Sequence, residues 1–272
     1  MRIVSLAIVS LATLSTLFAL VGCAAVSPSS SDPITPQTLT GNWQMSATST
    51  ASKTTGTVTP FSIYLIANNG TVTGTLFPQA AYPVFACPFP SAQLAGTVDA
   101  QGNISMKSVA TPTGAPIVVT LTGLAASGAM VGSYTISGGC ASDMGTVAGT
   151  ELPPLNGTYN GTVTSTNTGT TMTVKATLTQ ASTPNAAGQL PVTGTASFSG
   201  GQSCLSSLAV QNSESYLYGT DLLTGLAVNP AAPLTAGFSG TLSADGKTLS
   251  ITYDVSPDVC SYDFGKGTLT LQ

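Results

Sequence analysis

Histidine is absent from this 272-residue chain, and charge is scarce: six Lys plus Arg stand against ten Asp plus Glu, together 6% of the residues. Without histidine there is no Ser-His-Asp or Cys-His nucleophile pair, no imidazole-ligated zinc and no general base that titrates unaided near neutral pH. Arg2 is the only arginine, and the lysines are scattered singly from Lys53 to Lys266. A groove that neutralises successive phosphates cannot be built from them, so nucleic acid is excluded as a partner. Hydrophobic residues still make up 42% of the chain, which leaves Thr, Ser, Asn, Gln and Gly to solvate its surface. Neutral, threonine-rich faces suit an exported β protein.

Charge is missing altogether from Ile3 to Val21, behind the single positive residue Arg2. This apolar stretch ends in small residues and reads as a secretory signal. A spanning helix needs about 20 apolar residues; here Ser5, Ser10, Thr13, Ser15 and Thr16 interrupt the run, and no Lys or Arg follows until Lys53. An ordinary signal peptide and an uncleaved anchor are the alternatives. The run closes on Leu20-Val21-Gly22-Cys23, which resembles the lipobox of bacterial lipoproteins. The resemblance implies a signal peptide over 1–22, cleavage before Cys23, and lipidation of Cys23 on its sulfur and new α-amine. One acyl chain holds a protein only marginally to a bilayer, whereas two or more hold it stably. The implied protein is therefore membrane-anchored without a membrane-spanning fold. Ala24 rather than Asp follows the cysteine, which by the same resemblance favours the outer over the inner membrane of the envelope.

Cysteine number agrees with this reading. Five cysteines leave one without an internal partner in an exported protein, and assigning Cys23 to lipid leaves an even set. Behind it, residues 23–38 are rich in Ser and Pro and form an extended tether, with a reach of about 50 Å.

The remainder repeats itself. Leu39-Thr40-Gly41-Asn42-Trp43 returns as Leu155-Asn156-Gly157-Thr158-Tyr159, and Val72-Thr73-Gly74-Thr75 as Val192-Thr193-Gly194-Thr195. Cys87 corresponds to Cys204, and Cys140-Ala141-Ser142-Asp143-Met144-Gly145 to Cys260-Ser261-Tyr262-Asp263-Phe264-Gly265, with Tyr134 and Tyr253 shortly upstream. A stable offset over matched motifs marks a duplicated structural unit. The expected domains are 39–150 and 155–272, divided near Glu151-Leu152-Pro153-Pro154. Within a unit the hydrophobic period is two: Met172, Val174, Ala176 and Leu178 alternate with threonines and Lys175, and Leu249, Ile251, Tyr253 and Val255 alternate with polar residues. Turn signals such as Asn69-Gly70, Ser127-Gly128 and Asp245-Gly246 separate the strands. The fold expected is all-β: two tandem antiparallel domains of about seven or eight strands each, meander barrel or sandwich. At most one helical turn is expected, within Cys204 to Gln211.

A bridge that belongs to the unit should be copied with it. Cys87–Cys140 and Cys204–Cys260 are therefore the expected disulfides among three connectivities, each contributing about 4 kcal/mol in the chain-entropy model. Gly41-Asn42-Trp43, a following strand and Val72-Thr73-Gly74-Thr75 resemble the opening of a lipocalin or avidin-type barrel. There the glycine lets the first strand bend and the tryptophan plugs the closed end, which implies a core role for Trp43. Biotin sites of the avidin type use several tryptophans, and this chain has one.

Two carboxylates recur at one point of the repeat, Asp143 and Asp263. They are weak candidates for calcium ligands, because the carboxylate density of a calcium loop is missing; the simpler reading gives Asp a turn bond to its own backbone and the nearby glycine a positive φ. No catalytic residue is identified. Asp143 with Glu151, and Asp254 with Asp258, are the spacings a remote carboxylate-based hydrolase would use. No cofactor is expected, and the Asn-x-Ser/Thr sequences at Asn69, Asn103, Asn156 and Asn160 read as turns. The functional expectation is a non-enzymatic, envelope-anchored surface, structural or binding module, with the bilayer as one partner and an unidentified protein or small ligand as another. The alternative is a lipocalin-like carrier of a small apolar ligand, which requires an apolar cavity of about 300 Å³ or more.

Overall fold

Alternation of apolar and polar residues produces strands with one face for a core and one for water, and two-residue turns with positive φ set their register. Asn69 and Gly70 (φ 48° and 77°) close one hairpin, and Ser127 and Gly128 (φ 50° and 73°) close another; both residues of such a turn must be left-handed to match the strand twist. Larger turns are fixed by side chains. The Asp99 carboxylate accepts from the Gln101 and Asn103 backbone amides at 2.9 and 2.8 Å, and Asp245 accepts from the Ser243 hydroxyl and the Lys247 amide at 2.6 and 3.0 Å.

The computed structural model describes residues 39–51, 54–79, 91–109, 118–138, 142–229, 232–258 and 260–272. The signal segment 1–22, Cys23, the tether 23–38, and the pair Cys87 and Cys140 lie outside the described residues. The first eight strands are β1 (Gly41–Ser49), β2 (Val58–Asn68), β3 (Thr71–Pro78), β4 (Ala92–Val98), β5 (Asn103–Ser108), β6 (Val118–Ala126), β7 (Ala129–Ser137) and β8 (Asp143–Leu152). The second eight are β9 (Asn156–Ser165), β10 (Thr171–Gln180), β11 (Leu190–Ser199), β12 (Leu208–Tyr218), β13 (Asp221–Ala227), β14 (Ala236–Leu242), β15 (Thr248–Val255) and β16 (Asp263–Leu271). A 3-10 turn at Ser203–Leu205 overlaps the start of the segment Cys204 to Gln211 in which one helical turn is expected, and strand β12 takes over from Leu208. Asn156 and Asn160 lie in β9 and Asn103 begins β5, so three of the four Asn-x-Ser/Thr sequences belong to a strand rather than a turn.

Each strand pairs antiparallel with the next, and the last returns to the first: β8 with β1 and β16 with β9, so the chain forms two closed up-and-down barrels. Closure removes the unpaired edges that a sandwich would leave. Inside the first barrel lie Trp43, Met45, Phe61, Ile63, Leu76, Leu94 and Met106; inside the second lie Val174, Leu178, Phe198, Leu217, Phe238 and Ile251. Burial of each large aliphatic or aromatic side chain contributes about 1.5–3 kcal/mol. Trp43 is core, its indole N–H donating to the Leu39 carbonyl at 3.1 Å. Cys204 and Cys260 are disulfide-bonded, with Cα atoms 6.3 Å apart.

One end of the second barrel is seated on the outer wall of the first. At the tip of the β12–β13 hairpin, Asn42 makes a reciprocal pair with Gly219: its amide donates to the Gly219 carbonyl at 2.9 Å and accepts from the Gly219 N–H at 3.1 Å. Gln44 accepts from the Thr220 amide at 3.0 Å, and the Tyr64 hydroxyl donates to the Ser182 carbonyl at 2.6 Å. Phe77 of β3 packs on Tyr218 with ring centroids 4.5 Å apart, and Tyr64 joins the core of the second barrel. A methyl group on Gly219 would come within 2.3 Å of the Gln44 amide oxygen. Asn42→Ala leaves the buried Gly219 peptide unpaired, a cost of about 1–3 kcal/mol. Urea unfolding should show that loss as a lower midpoint at unchanged slope; a midpoint equal to that of the wild type would refute the clamp.

Candidate functional site

The Asp-x-Gly motif that the repeat preserves sits at the same barrel end in both units, at the seam where the sheet closes. In the first barrel, Ser49 ends β1, Asp143 begins β8 and Tyr134 stands in β7. Register explains their meeting. Gly145 is opposite Ser49 on one side and Tyr134 on the other, and Asp143 is two residues away on the same face. The Ser49 hydroxyl donates to Asp143 Oδ1 at 2.6 Å, the Tyr134 hydroxyl to Oδ2 at 2.7 Å, and the Met144 amide to Oδ1 at 2.9 Å. The second barrel repeats this with Ser165 at 2.6 Å, Tyr253 at 2.8 Å and the Phe264 amide at 2.9 Å from Asp263.

Both glycines differ from the expectation of positive φ, since neither is among the residues with that conformation. Their role is close approach. A Cβ on Gly145 would lie 1.9 Å from the Thr48 carbonyl oxygen, and one on Gly265 would lie 2.1 Å from that of Thr164 and 2.8 Å from the Tyr253 ring. Glycine leaves the room in which serine and tyrosine reach the carboxylate. The aspartate does bond the amide of its neighbour, but its principal partners come from two other strands.

Chemically this is a buried, fully donated carboxylate. Asp143 and Asp263 are 6% and 8% exposed, and Ser49 and Ser165 are 1% and 2% exposed, so neither hydroxyl is presented to a substrate. Both oxygens of each carboxylate already accept hydrogen bonds, which occupies the atoms a calcium ion would draw on. Among the described residues no group of three His, Cys, Asp or Glu side chains is close enough to hold a metal ion. Sequence reasoning found the aspartates, glycines and tyrosines but missed Ser49 and Ser165. The repeat offset, which superposes these two serines, was the signal that could have found them.

The remaining carboxylates are apart. Asp143 and Glu151 lie eight residues apart on β8, about 26 Å at the usual strand rise, against the 5–10 Å a glycosidase pair requires. Asp254 is on the outer wall and Asp258 in the β15–β16 loop, both exposed. Burial raises the pKa of Glu151. Asp221, beside the inter-barrel hairpin, is raised by burial too, against a hydrogen bond from Gln79 that lowers it. In the interior of the first barrel a cavity of about 10 Å³ is lined by Ala47, Phe61, Leu76, Val119, Leu121, Tyr134 and Ile136, room for about one water. An open groove of about 370 Å³ lies outside the second barrel, along Thr179, Ala181, Pro184, Asn185, Pro191 and Thr193.

No protein-family model and no curated protein matches the chain. Three solved structures are similar over much of its length. A protein of unknown function from the DUF3598 family of Nostoc punctiforme is 12% identical, with 86% of this chain and 96% of that one covered and a TM-score of 0.26. Kievitone hydratase from Nectria haematococca is 9% identical, covering 88% and 91% of the two chains at a TM-score of 0.23. Transferrin binding protein B from Haemophilus parasuis, a vaccine antigen crystallised as a double mutant, is 10% identical, covering 85% and 75% at a TM-score of 0.22.

Burial, then the hydrogen bond to the neighbouring carboxylate, push the Tyr134 and Tyr253 hydroxyls far above the ordinary tyrosine range. A pKa raised in the folded state adds stability that is complete below the unfolded value of about 10 and is lost as pH rises through the folded one. In an alkaline titration followed by phenolate absorbance, these two tyrosines should ionise last and together with unfolding. Ionisation of all eight tyrosines while the far-ultraviolet spectrum stays native would contradict the buried triads.

Proposed function

We propose that the protein is a non-enzymatic lipoprotein of the bacterial envelope, anchored through lipid on Cys23, carried on the tether 23–38 and engaging its partners through the outer faces of two rigid barrels. The observation that carries this reading is the packing of the described residues inside the barrels, where Trp43, Phe61 and Met106 are buried in the first and Tyr159, Phe198 and Phe238 in the second. A cavity of about 10 Å³ among the described residues of the first barrel is far below the roughly 300 Å³ that a small-ligand pocket needs, which favours a surface-binding or structural module over an apolar-ligand carrier. The composition supports it further. A chain without histidine has no ordinary neutral-pH base, and the repeated Ser-Asp-Tyr cluster is directed inward, where it ties strands together.

The proposed architecture is a signal peptide over 1–22, the lipidated tether, and the two barrel units 39–150 and 155–272 joined by Pro153 and Pro154. Cys87–Cys140 is proposed as the first-barrel counterpart of Cys204–Cys260. Its place is the outer rather than the inner membrane. The anchor is tested by growing an expressing bacterium with radiolabelled palmitate. The wild-type chain should carry label and sediment with membranes. Cys23→Ala should lose essentially all label and leave the membrane fraction, and a Cys23→Ala protein that still carries label would sink the proposal.

A further inference from the structure

The end of the second barrel that carries Asp263 is crossed by a strap. The sheet closes in the order β9 to β16, so the β11–β12 and β15–β16 connections stand on opposite sides of the ring. Cys204 belongs to the first connection and Cys260 to the second, yet the two are disulfide-bonded with Cα atoms 6.3 Å apart. Connections rooted in opposite walls meet this closely only by reaching inward over the mouth. A second tie lies beside the bridge: the Gln202 side chain donates to the Ser261 carbonyl at 2.7 Å and accepts from the Ser261 N–H at 2.9 Å.

The strap carries a plug. Within 200–207 Leu205 is the one buried residue, at 0% exposure and part of the core of the second barrel. The 3-10 turn that directs it inward is closed by the Leu205 N–H on the Gln202 carbonyl at 3.0 Å and the Ser206 N–H on the Ser203 carbonyl at 3.2 Å. Gly201 runs so close over buried Met172 that a Cβ would lie 2.2 Å from its sulfur. At this same end Tyr253 bonds Asp263. Its ring packs on Phe198, which packs in turn on Phe238, with centroids 5.8 and 5.6 Å apart. Cys204 and Cys260 rest against this core, so strap, plug and bridge together cover an apolar, aromatic interior.

Strap and sheet are fastened separately. The seam is held by Asp263 with Ser165 and Tyr253 and by β16–β9 pairing from Gly265 opposite Ser165 to Leu271 opposite Tyr159. Cys204 and Cys260 lie outside every strand, so opening their bridge removes no strand pairing. Both cysteines are only half-buried, among exposed Ser203, Ser206 and Ser261, which leaves the bridge open to attack from solvent. We propose that Cys204–Cys260 is a redox latch: reduction by an external dithiol frees the strap 200–207, withdraws Leu205 from the mouth and uncovers the apolar interior while the barrel stays closed. One thiolate of the dithiol attacks a bridge sulfur and expels the other cysteine as thiolate; its second thiolate then displaces the cysteine still bound. The dithiol leaves as a disulfide, and Cys204 and Cys260 take up the electrons and protons as free thiols. Without the bridge, one buried leucine and the Gln202–Ser261 pair are left to hold the strap against the conformational freedom it regains.

The test is hydrogen–deuterium exchange read by mass spectrometry on the full mature chain, oxidised and in dithiothreitol. On reduction, peptides covering 200–207 should exchange about tenfold faster or more, while peptides from β9 and β16 keep their native protection. The double variant Cys204→Ser with Cys260→Ser removes this bridge alone and leaves Cys87 and Cys140 in place. It should show the same contrast without reductant, and reading each peptide separately keeps any response of the first barrel apart. Reduced wild type should also bind the apolar dye 8-anilinonaphthalene-1-sulfonate with a gain in fluorescence that the oxidised protein lacks. A strap that exchanges equally slowly with both thiols free overturns the latch. So does a β9–β16 seam that loses protection together with the strap, because the bridge would then hold the whole barrel rather than its plug.

Discussion

Closure of the sheet is the constraint on which the rest of this molecule depends. A meander of eight strands has two free edges until the last strand pairs with the first, and in both units that seam is fastened by one aspartate that accepts from a serine on the first strand and a tyrosine on the penultimate one. A carboxylate away from water is costly unless its lone pairs are met by donors. Here each meets a serine hydroxyl, a phenol and a backbone amide, and no cation is required. The result is a fastening suited to a chain with almost no charge.

Glycine placement follows from the same seam. Gly145 and Gly265 stand opposite both the serine and the tyrosine, where any side chain would collide with a neighbouring carbonyl. The duplicated motif is thus one mechanical part used twice. Within this motif the copies diverge on the outside: Ser142 and Met144 in one, Tyr262 and Phe264 in the other. Variation in surface residues over a common seam is the pattern expected when a scaffold is kept and its exposed face is changed.

Between the barrels, the contact combines hydrogen bonds and aromatic packing. Asn42 treats Gly219 as a strand partner would, exchanging both a donor and an acceptor, and Tyr64 extends the second core across the boundary. The junction thus combines hydrogen bonds with aromatic packing between Phe77 and Tyr218.

By itself the sequence determined the all-β class, the duplication, most strand positions and the pairing Cys204–Cys260, because these depend on local alternation, turn chemistry and the copying of motifs. Strands such as β10 and β15 were legible from Met172, Val174, Ala176 and Leu178 and from Leu249, Ile251, Tyr253 and Val255, whose side chains all face the core. Tertiary structure alone decided that the sheets close into barrels rather than stack as sandwiches, since both arrangements use the same period-two pattern. It also decided the purpose of the recurring Asp and Gly. Their partners Ser49 and Ser165 lie nearly a hundred residues away in the chain, and only the register of the closing strands, which no local pattern encodes, brings them to the carboxylate.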